Sequence, residues 1–433
     1  MAKVENNDLI DINDLNDDCL ENILEFIPLT DRFSAELVCK RWYCICSLLW
    51  KKCRKFDIDD FYRTDENGQG YNTKLLKRVF ARCAQYITEL NISQCYEKDT
   101  IFLAYEPYRK RECTKENEED WRDLKEISLR CTNLEILTLG STMIEVDDTY
   151  LSLLLSRNEN IRTLYLTSYV DLEGQSEFRI PYKNLETLVL SYCSIPIDSL
   201  DLRTLNESTK LKNLMFAVSS KSYVDLAFHH FQPKNLEQLH LDEHIFDVPN
   251  IIDGLVDPSR LKVLRIENRM ISESKAITNT VIRQCQNLEA LGLDYRFYDH
   301  DLCRINDSLK KLVCLDISFC DASTDLGVSN VNTNLKCLNA DSTEITDEGV
   351  KNILRRAENL KKLNLSGCYN ISEDVINIAI DAMKLRIKRN NPTPLEVGLR
   401  DTYIDFDSTL NPCPLLKFTH DDMHIMYSNY ISL

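Results

Sequence analysis

Leu360-Lys361-Lys362-Leu363-Asn364-Leu365-Ser366-Gly367-Cys368-Tyr369-Asn370-Ile371-Ser372 carries the pattern that decides the fold. Its Leu-x-x-Leu-x-Leu core returns, with aliphatic substitutions, from Leu134, Ile161, Leu185, Leu211, Leu236, Leu261, Leu288, Leu312 and Leu335. Nine steps join Leu134 to Leu360, about 25 residues apiece. Weaker copies flank the array at Ile87-Leu90-Ile92 and Pro394-Val397-Leu399. One such unit cannot bury its own apolar face, whereas stacked neighbours can. Each copy therefore reads as a short strand with three inward aliphatic residues, followed by a helix that returns the chain. In one copy Thr346 is placed to cap, Asp347 and Glu348 fill the first turn, and Arg355 and Arg356 stand near the end. That is the charge order the helix dipole favours. Ser372, Glu373 and Asp374 repeat the start signal one copy later.

Eight residues after the first leucine the chain carries Cys95, Cys193, Cys320 and Cys368 in four copies, and Thr142, Ser219, Thr343 or Thr402 in four others. Small, weakly polar side chains at this bend can turn inward and satisfy backbone groups. Two residues further, Ile144, Ile195, Ile271, Ile345 and Ile404 anchor the chain before the helix. This fuller pattern resembles the cysteine-containing subclass of leucine-rich repeats. The resemblance implies an α/β fold, a curved solenoid with parallel strands on the concave side and helices on the convex side. About 12 repeats are expected over residues 87–404, with an insertion near 96–121 and a capping tail over 405–433.

Composition limits the function classes. The chain has 433 residues, 52 basic and 69 acidic, for a net charge of −17. An acidic surface opposes nucleic-acid and anionic-membrane binding. No apolar run reaches the length of a membrane span, and the first residues lack the apolar core of a signal peptide, so a cytoplasmic or nuclear location is expected. The 17 cysteines then read as buried thiols. The pairs His240/His244 and His420/His424 lack a third ligand at metal spacing, and no phosphate-cradling or nucleophile-elbow motif is present. Neither a metal, a cofactor nor a catalytic centre is expected.

Ahead of the repeats lies a different pattern. Leu20, Ile23, Leu24 and Ile27 form one helical stripe, with Asn16 placed to cap it and Pro28 to end it. A second apolar set runs Phe33, Leu37, Val38, Trp42, Ile45, Leu48, Leu49 and Trp50. So few residues make a poor independent fold, and the segment must pack on the solenoid or against another protein. Leu15 to Ile27, then Asp31, then Val38-Cys39-Lys40-Arg41-Trp42, then Leu49-Trp50, looks like an F-box, a three-helix module, over residues 10–52. Asn16 stands where that family usually has proline, and Arg32 where it usually has leucine. Residues 53–86 read as a linker and the first helix of the solenoid. The two modules together resemble an F-box protein with leucine-rich repeats. That resemblance implies a non-catalytic substrate receptor of a cullin–RING ubiquitin ligase. It would dock on the ligase's adaptor subunit through Leu15, Leu20, Ile23, Leu24, Ile27, Val38, Trp42 and Trp50. A repeat scaffold whose head serves some other protein is the competing reading.

The repeat register also places candidate substrate contacts. Six residues after the first leucine stand Asp242, Glu267, Asp294 and Asp341, with Asp316 two places earlier in its copy. Carboxylates on strands ~4.8 Å apart repel one another, which favours a basic partner. Arg265, Arg269 and Arg296 lie nearby and would partly neutralise the column. Tyr165, Tyr169, Tyr192, Tyr295 and Phe319 lie in or just after strands and are candidate anchors.

Overall fold

The computed structural model describes residues 12–65, 68–93, 118–140, 148–167, 183–193, 205–206, 208–218, 232–242, 248–267, 274–293, 297–320, 322–404 and 413–420. Three helices come first: α1 (Asp17–Glu25), α2 (Leu29–Glu36) and α3 (Lys40–Lys52). A strand, β1 (Lys55–Asp57), a hairpin of β2 (Tyr62–Asp65) and β3 (Gly68–Tyr71), and α4 (Thr73–Cys83) lead into the repeats. Their strands are β4 (Glu89–Ser93), β5 (Ile136–Gly140), β6 (Thr163–Thr167), β7 (Thr187–Cys193), β8 (Asn213–Val218), β9 (Gln238–Asp242) and β10 (Val263–Glu267). The series continues with β11 (Ala290–Leu293), β12 (Cys314–Asp316), β13 (Cys337–Asn339), β14 (Lys362–Asn364), β15 (Leu395–Gly398) and β16 (Leu416–Thr419).

β1 and β4 to β16 join in chain order into one parallel 14-stranded sheet. From β4 to β14 the repeat leucines align in each pairing, as Leu137 does with Leu164 and Leu315 with Leu338. These side chains are buried in a single apolar core that runs from Phe33 and Trp50 to Phe418. The chain thus forms an F-box-like helical head followed by a leucine-rich-repeat solenoid.

The sheet is wider at both ends than the leucine pattern. Residues 53–86 are not merely a connection: β1 supplies the first strand, and Phe56 takes the inward position opposite Leu90. Phe56 stacks on Phe61 at 5.0 Å and meets Phe80 edge-on at 4.5 Å, so aromatic rings close this end of the core. At the other end β16, within the expected capping tail, adds a strand with Leu416 and Phe418 buried. The return path is not always helical. After β12 the chain returns through turns, with Val328 and Val331 buried in place of a helix stripe.

Three recurring polar columns lock the repeats to one another. The residue that begins the bend after the strand is left-handed in four successive copies: Phe319, Ser342, Gly367 and Asp401, with φ of 59°, 54°, 61° and 55°. The N–H groups of the first three donate to the next copy, at Asp341 O, Ser366 O and Arg400 O, 2.8–2.9 Å. The next residue turns inward, as its composition implied. Cys368 Sγ donates to Ala340 O at 3.0 Å, and Thr343 and Thr402 Oγ1 donate to local carbonyls at 2.8 and 2.7 Å. Cys95, Thr142 and Ser219 lie outside the described residues.

The third column is a carboxylate clamp. Asp299, Asp325 and Asp347 each accept the backbone N–H and the hydroxyl of the following copy's Thr324, Thr346 and Ser372, at 2.6–2.9 Å. Glycine is needed beside it. A Cβ on Gly327 would stand 2.6 Å from Asp299 Oδ1, and one on Gly349 would meet Asp325 and stand 2.8 Å from Ile345 Cγ2.

Candidate functional site

The head is built around Leu20, Leu24, Ala35, Ile45, Cys46 and Leu49, with Ile27 and Trp42 packed on this cluster. Asn16 Oδ1 accepts from Cys19 N at 2.8 Å and begins α1, so asparagine does the capping here. The Val38-Cys39-Lys40-Arg41-Trp42 run has several separate tasks. Cys39 Sγ accepts from Trp42 N at 3.5 Å and starts α3. Arg41 crosses to α1, pairing with Asp17 at 2.6 Å and donating to Asn13 O and Leu15 O. It therefore fixes the entry to α1, and Leu15 is half-buried there.

A second face of the head is welded to the solenoid. Trp50 is 2% exposed; its ring lies 5.1 Å from Phe33, and both belong to the solenoid core. Trp50 Nε1 donates to Glu36 Oε1 at 2.7 Å, and the other oxygen of Glu36 pairs with Arg82 of α4 at 3.1 Å. Arg78 of α4 lies over the Phe33 ring at 4.2 Å. Arg32 is buried, donates to Glu25 O and Leu49 O, and sits 5.6 Å from the Trp50 ring. It is an internal strut between the ends of α1 and α3, which accounts for a cation where leucine was expected.

The rest of the head turns apolar groups to solvent. Phe26 is 90% exposed, Leu37 87% and Val38 58%, and Ile12, Ile23, Tyr43 and Leu48 are also exposed. Among the described residues, seven of the sixteen exposed large hydrophobic side chains lie within residues 12–48.

The concave sheet face has its own gradient. Tyr165, Val189 and Met215 stand on consecutive strands and form a small buried apolar cluster. Burial raises the Tyr165 phenol well above its ordinary value. His240 and Arg265 follow in register. Arg265 reaches across the bare Gly292 to Asp316, Nη1 to Oδ2 3.5 Å, and both are buried. Asp316 Oδ1 also accepts from Ser318 N and Oγ at 3.0 and 2.7 Å. Asn364 makes the same turn with Ser366, and its amide donates to Asn339 Oδ1 at 3.0 Å. Asp341 is half-buried, and desolvation holds its carboxyl above the usual range.

Residues 12–54 match the F-box domain family. The head is an F-box. Among solved structures, an internalin (inlF) from Listeria monocytogenes is similar at 19% identity and TM-score 0.39, over 67% of this chain and 81% of that one. A chain of the Rad7 and Elc1 complex in yeast is similar at 12% identity and TM-score 0.34, over 70% and 78%. A search of curated proteins finds no match.

Measured against the expected adaptor contacts, the F-box divides them. Leu20 and Leu24 are internal core, and Trp50 belongs to the joint with the solenoid. Ile23 and Val38 are exposed, while Leu15, Ile27 and Trp42 are half-buried. Phe26, Leu37 and Tyr43 were not among the expected contacts. Phe26 and Leu37 sit at helix C-caps, where no 3.6-residue period reveals orientation. Of the expected substrate contacts, Asp316 and Tyr165 are buried, the former because Arg265 and Ser318 engage it. Asp242 and Glu267 are register partners on β9 and β10. Asp294 and Tyr295 lie outside the described residues, as do residues 96–117 of the expected insertion. Among the described residues no cluster is arranged to hold a metal ion, and no helix is long and apolar enough to cross a membrane.

Proposed function

We propose that this chain is the substrate-recognition subunit of an SCF-type cullin–RING ubiquitin ligase. The F-box docks on the adaptor, and the repeats hold a protein substrate. The observation that carries this reading is an F-box whose Phe26, Leu37 and Val38 face solvent while Trp50 and Phe33 are committed to the solenoid. A free apolar face offers anchors for a partner, and a fixed joint transmits position. Holding a substrate lysine near the ubiquitin-loaded enzyme raises its effective concentration, so the receptor itself needs no covalent chemistry.

The test is affinity purification of the full chain beside a Phe26→Gln/Leu37→Gln variant. Adaptor, cullin and RING subunits are expected with the first and absent with the second, while substrate proteins are retained by both. Ubiquitin on a retained protein should require the unaltered F-box. Equal recovery of ligase subunits, or their absence from both, contradicts the proposal.

A further inference from the structure

The residues just before the strands stack into one column, each N–H donating to the carbonyl of the rung before at 2.7–2.9 Å. From Glu135 to Glu289 acid and base alternate, so Arg162, Lys212 and Lys262 each stand between two glutamates. Lys262 pairs with Glu237 at 2.7 Å, and Arg162 approaches Glu135 at 3.8 Å. The first of these pairs raises the lysine and lowers the glutamate from their ordinary values. Rung-to-rung neutralisation is thus how this rim handles its charge.

Beyond Val313 the alternation stops. Lys336 and Lys361 occupy consecutive rungs. Lys362 follows at the start of β14, and Lys310 and Lys311 lie in the turn before β12. Lys310, Lys311, Lys336 and Lys361 are exposed and Lys362 is half-buried. Lys310 and Lys311 donate only to neutral groups, Asn306 O and Asn287 Oδ1. Glu396, the register partner of Lys362 on the next rung, is taken by Lys417 on its other side at 2.6 Å. Among the described residues, none of the five lysines is in an ion pair. Neighbouring ammonium groups at rung spacing repel by roughly 1 kcal/mol in water. A glutamate, used on every second rung of the alternating stretch, would remove that cost. The burden is therefore left for something outside the chain to offset.

We propose that this lysine rim binds an acidic segment of the protein substrate, with three or more anionic side chains within about four extended residues, since three rungs span roughly 10 Å. The proposal rests on the reading of the repeats as the substrate-holding part. Its partner has the opposite sign to the one expected from the acid column, whose member Asp316 is neutralised internally. Clustered carboxylates and clustered phosphoserines share the required chemistry.

The experiment is fluorescence anisotropy on the full chain with three labelled decapeptides, one glutamate-rich, one phosphoserine-rich and one lysine-rich. Two variants of equal net charge are compared. Lys336→Glu/Lys361→Glu/Lys362→Glu reverses the rim, and Lys351→Glu/Lys384→Glu/Lys388→Glu reverses the convex helices. The rim variant is expected to lose at least about tenfold in affinity for the acidic peptides, and the convex variant under about threefold. Whichever acidic peptide binds more tightly identifies the source. Equal losses in the two variants overturn the proposal. So does a wild-type chain that binds neither acidic peptide better than the basic one. Adaptor affinity, read on the same samples, should be unchanged. Its absence from the wild type would sink the adaptor-docking proposal while leaving peptide binding at the rim to be judged by itself.

Discussion

Replacing Phe26 and Leu37 together with glutamine should weaken adaptor binding by roughly 10²- to 10⁴-fold while leaving the fold intact. Burying a large apolar side chain contributes about 1.5–3 kcal/mol, and two such groups account for that range. The cost to the free protein is small because both side chains already face solvent, and surface substitutions away from structural contacts stay within about 0.5 kcal/mol. Glutamine adds no charge at the helix C-caps these residues occupy, so the helix dipole is not disturbed. Isothermal titration gives the affinity, and urea denaturation gives the stability. If affinity stays within about threefold of wild type, the outward apolar face of the F-box is not the adaptor contact.

Trp50→Ala should act in the opposite way, at the joint. A buried aromatic truncation costs about 3–5 kcal/mol, and here it also strips Glu36 of one of its two partners. The predicted result is a large drop in the denaturation midpoint together with faster proteolysis between the F-box and α4. Trp50→Phe separates the two contributions. It keeps a ring against Phe33 and loses the N–H bond, a loss of about 1–3 kcal/mol with adaptor affinity nearly unchanged. A Trp50→Phe chain of wild-type stability that binds adaptor poorly would return Trp50 to the adaptor surface and remove it from the joint.

The solenoid was legible because each copy repeats the same burial problem. Leu137, Leu164, Leu188 and their counterparts all face one core, so the period is written in the leucines. β1 and β16 escaped because aromatic residues do the leucines' work: Phe56 at one end and Phe418 at the other fill the terminal cavities with bulk that no repeat pattern predicts. A further signal stood in plain view. An asparagine precedes the first leucine in many copies, and Asn133, Asn235 and Asn287 each donate to a carbonyl of the preceding repeat at 2.6–2.8 Å. The F-box was legible as a family pattern but not as a set of faces. Leu20, Ile23 and Leu24 share one helical stripe, yet a stripe of this width has an inner and an outer edge, and Ile23 falls on the outer one. The acid column was misleading at Asp316 because the cation that engages it, Arg265, lies two strands away. Only the absence of a side chain at Gly292 lets them meet.

The head has one face fused to the solenoid, and in the proposed reading its other, apolar face meets the adaptor. Hydrogen exchange of the full chain, with and without a saturating adaptor subunit, tests this most directly. New protection should appear around Phe26, in the turn holding Leu37 and Val38, and along the outer side of α3. The amides of Trp50 and of α4 should already be slow in the free chain. Protection confined to the concave strands, or rapid exchange at the Trp50 joint without the adaptor, would contradict it.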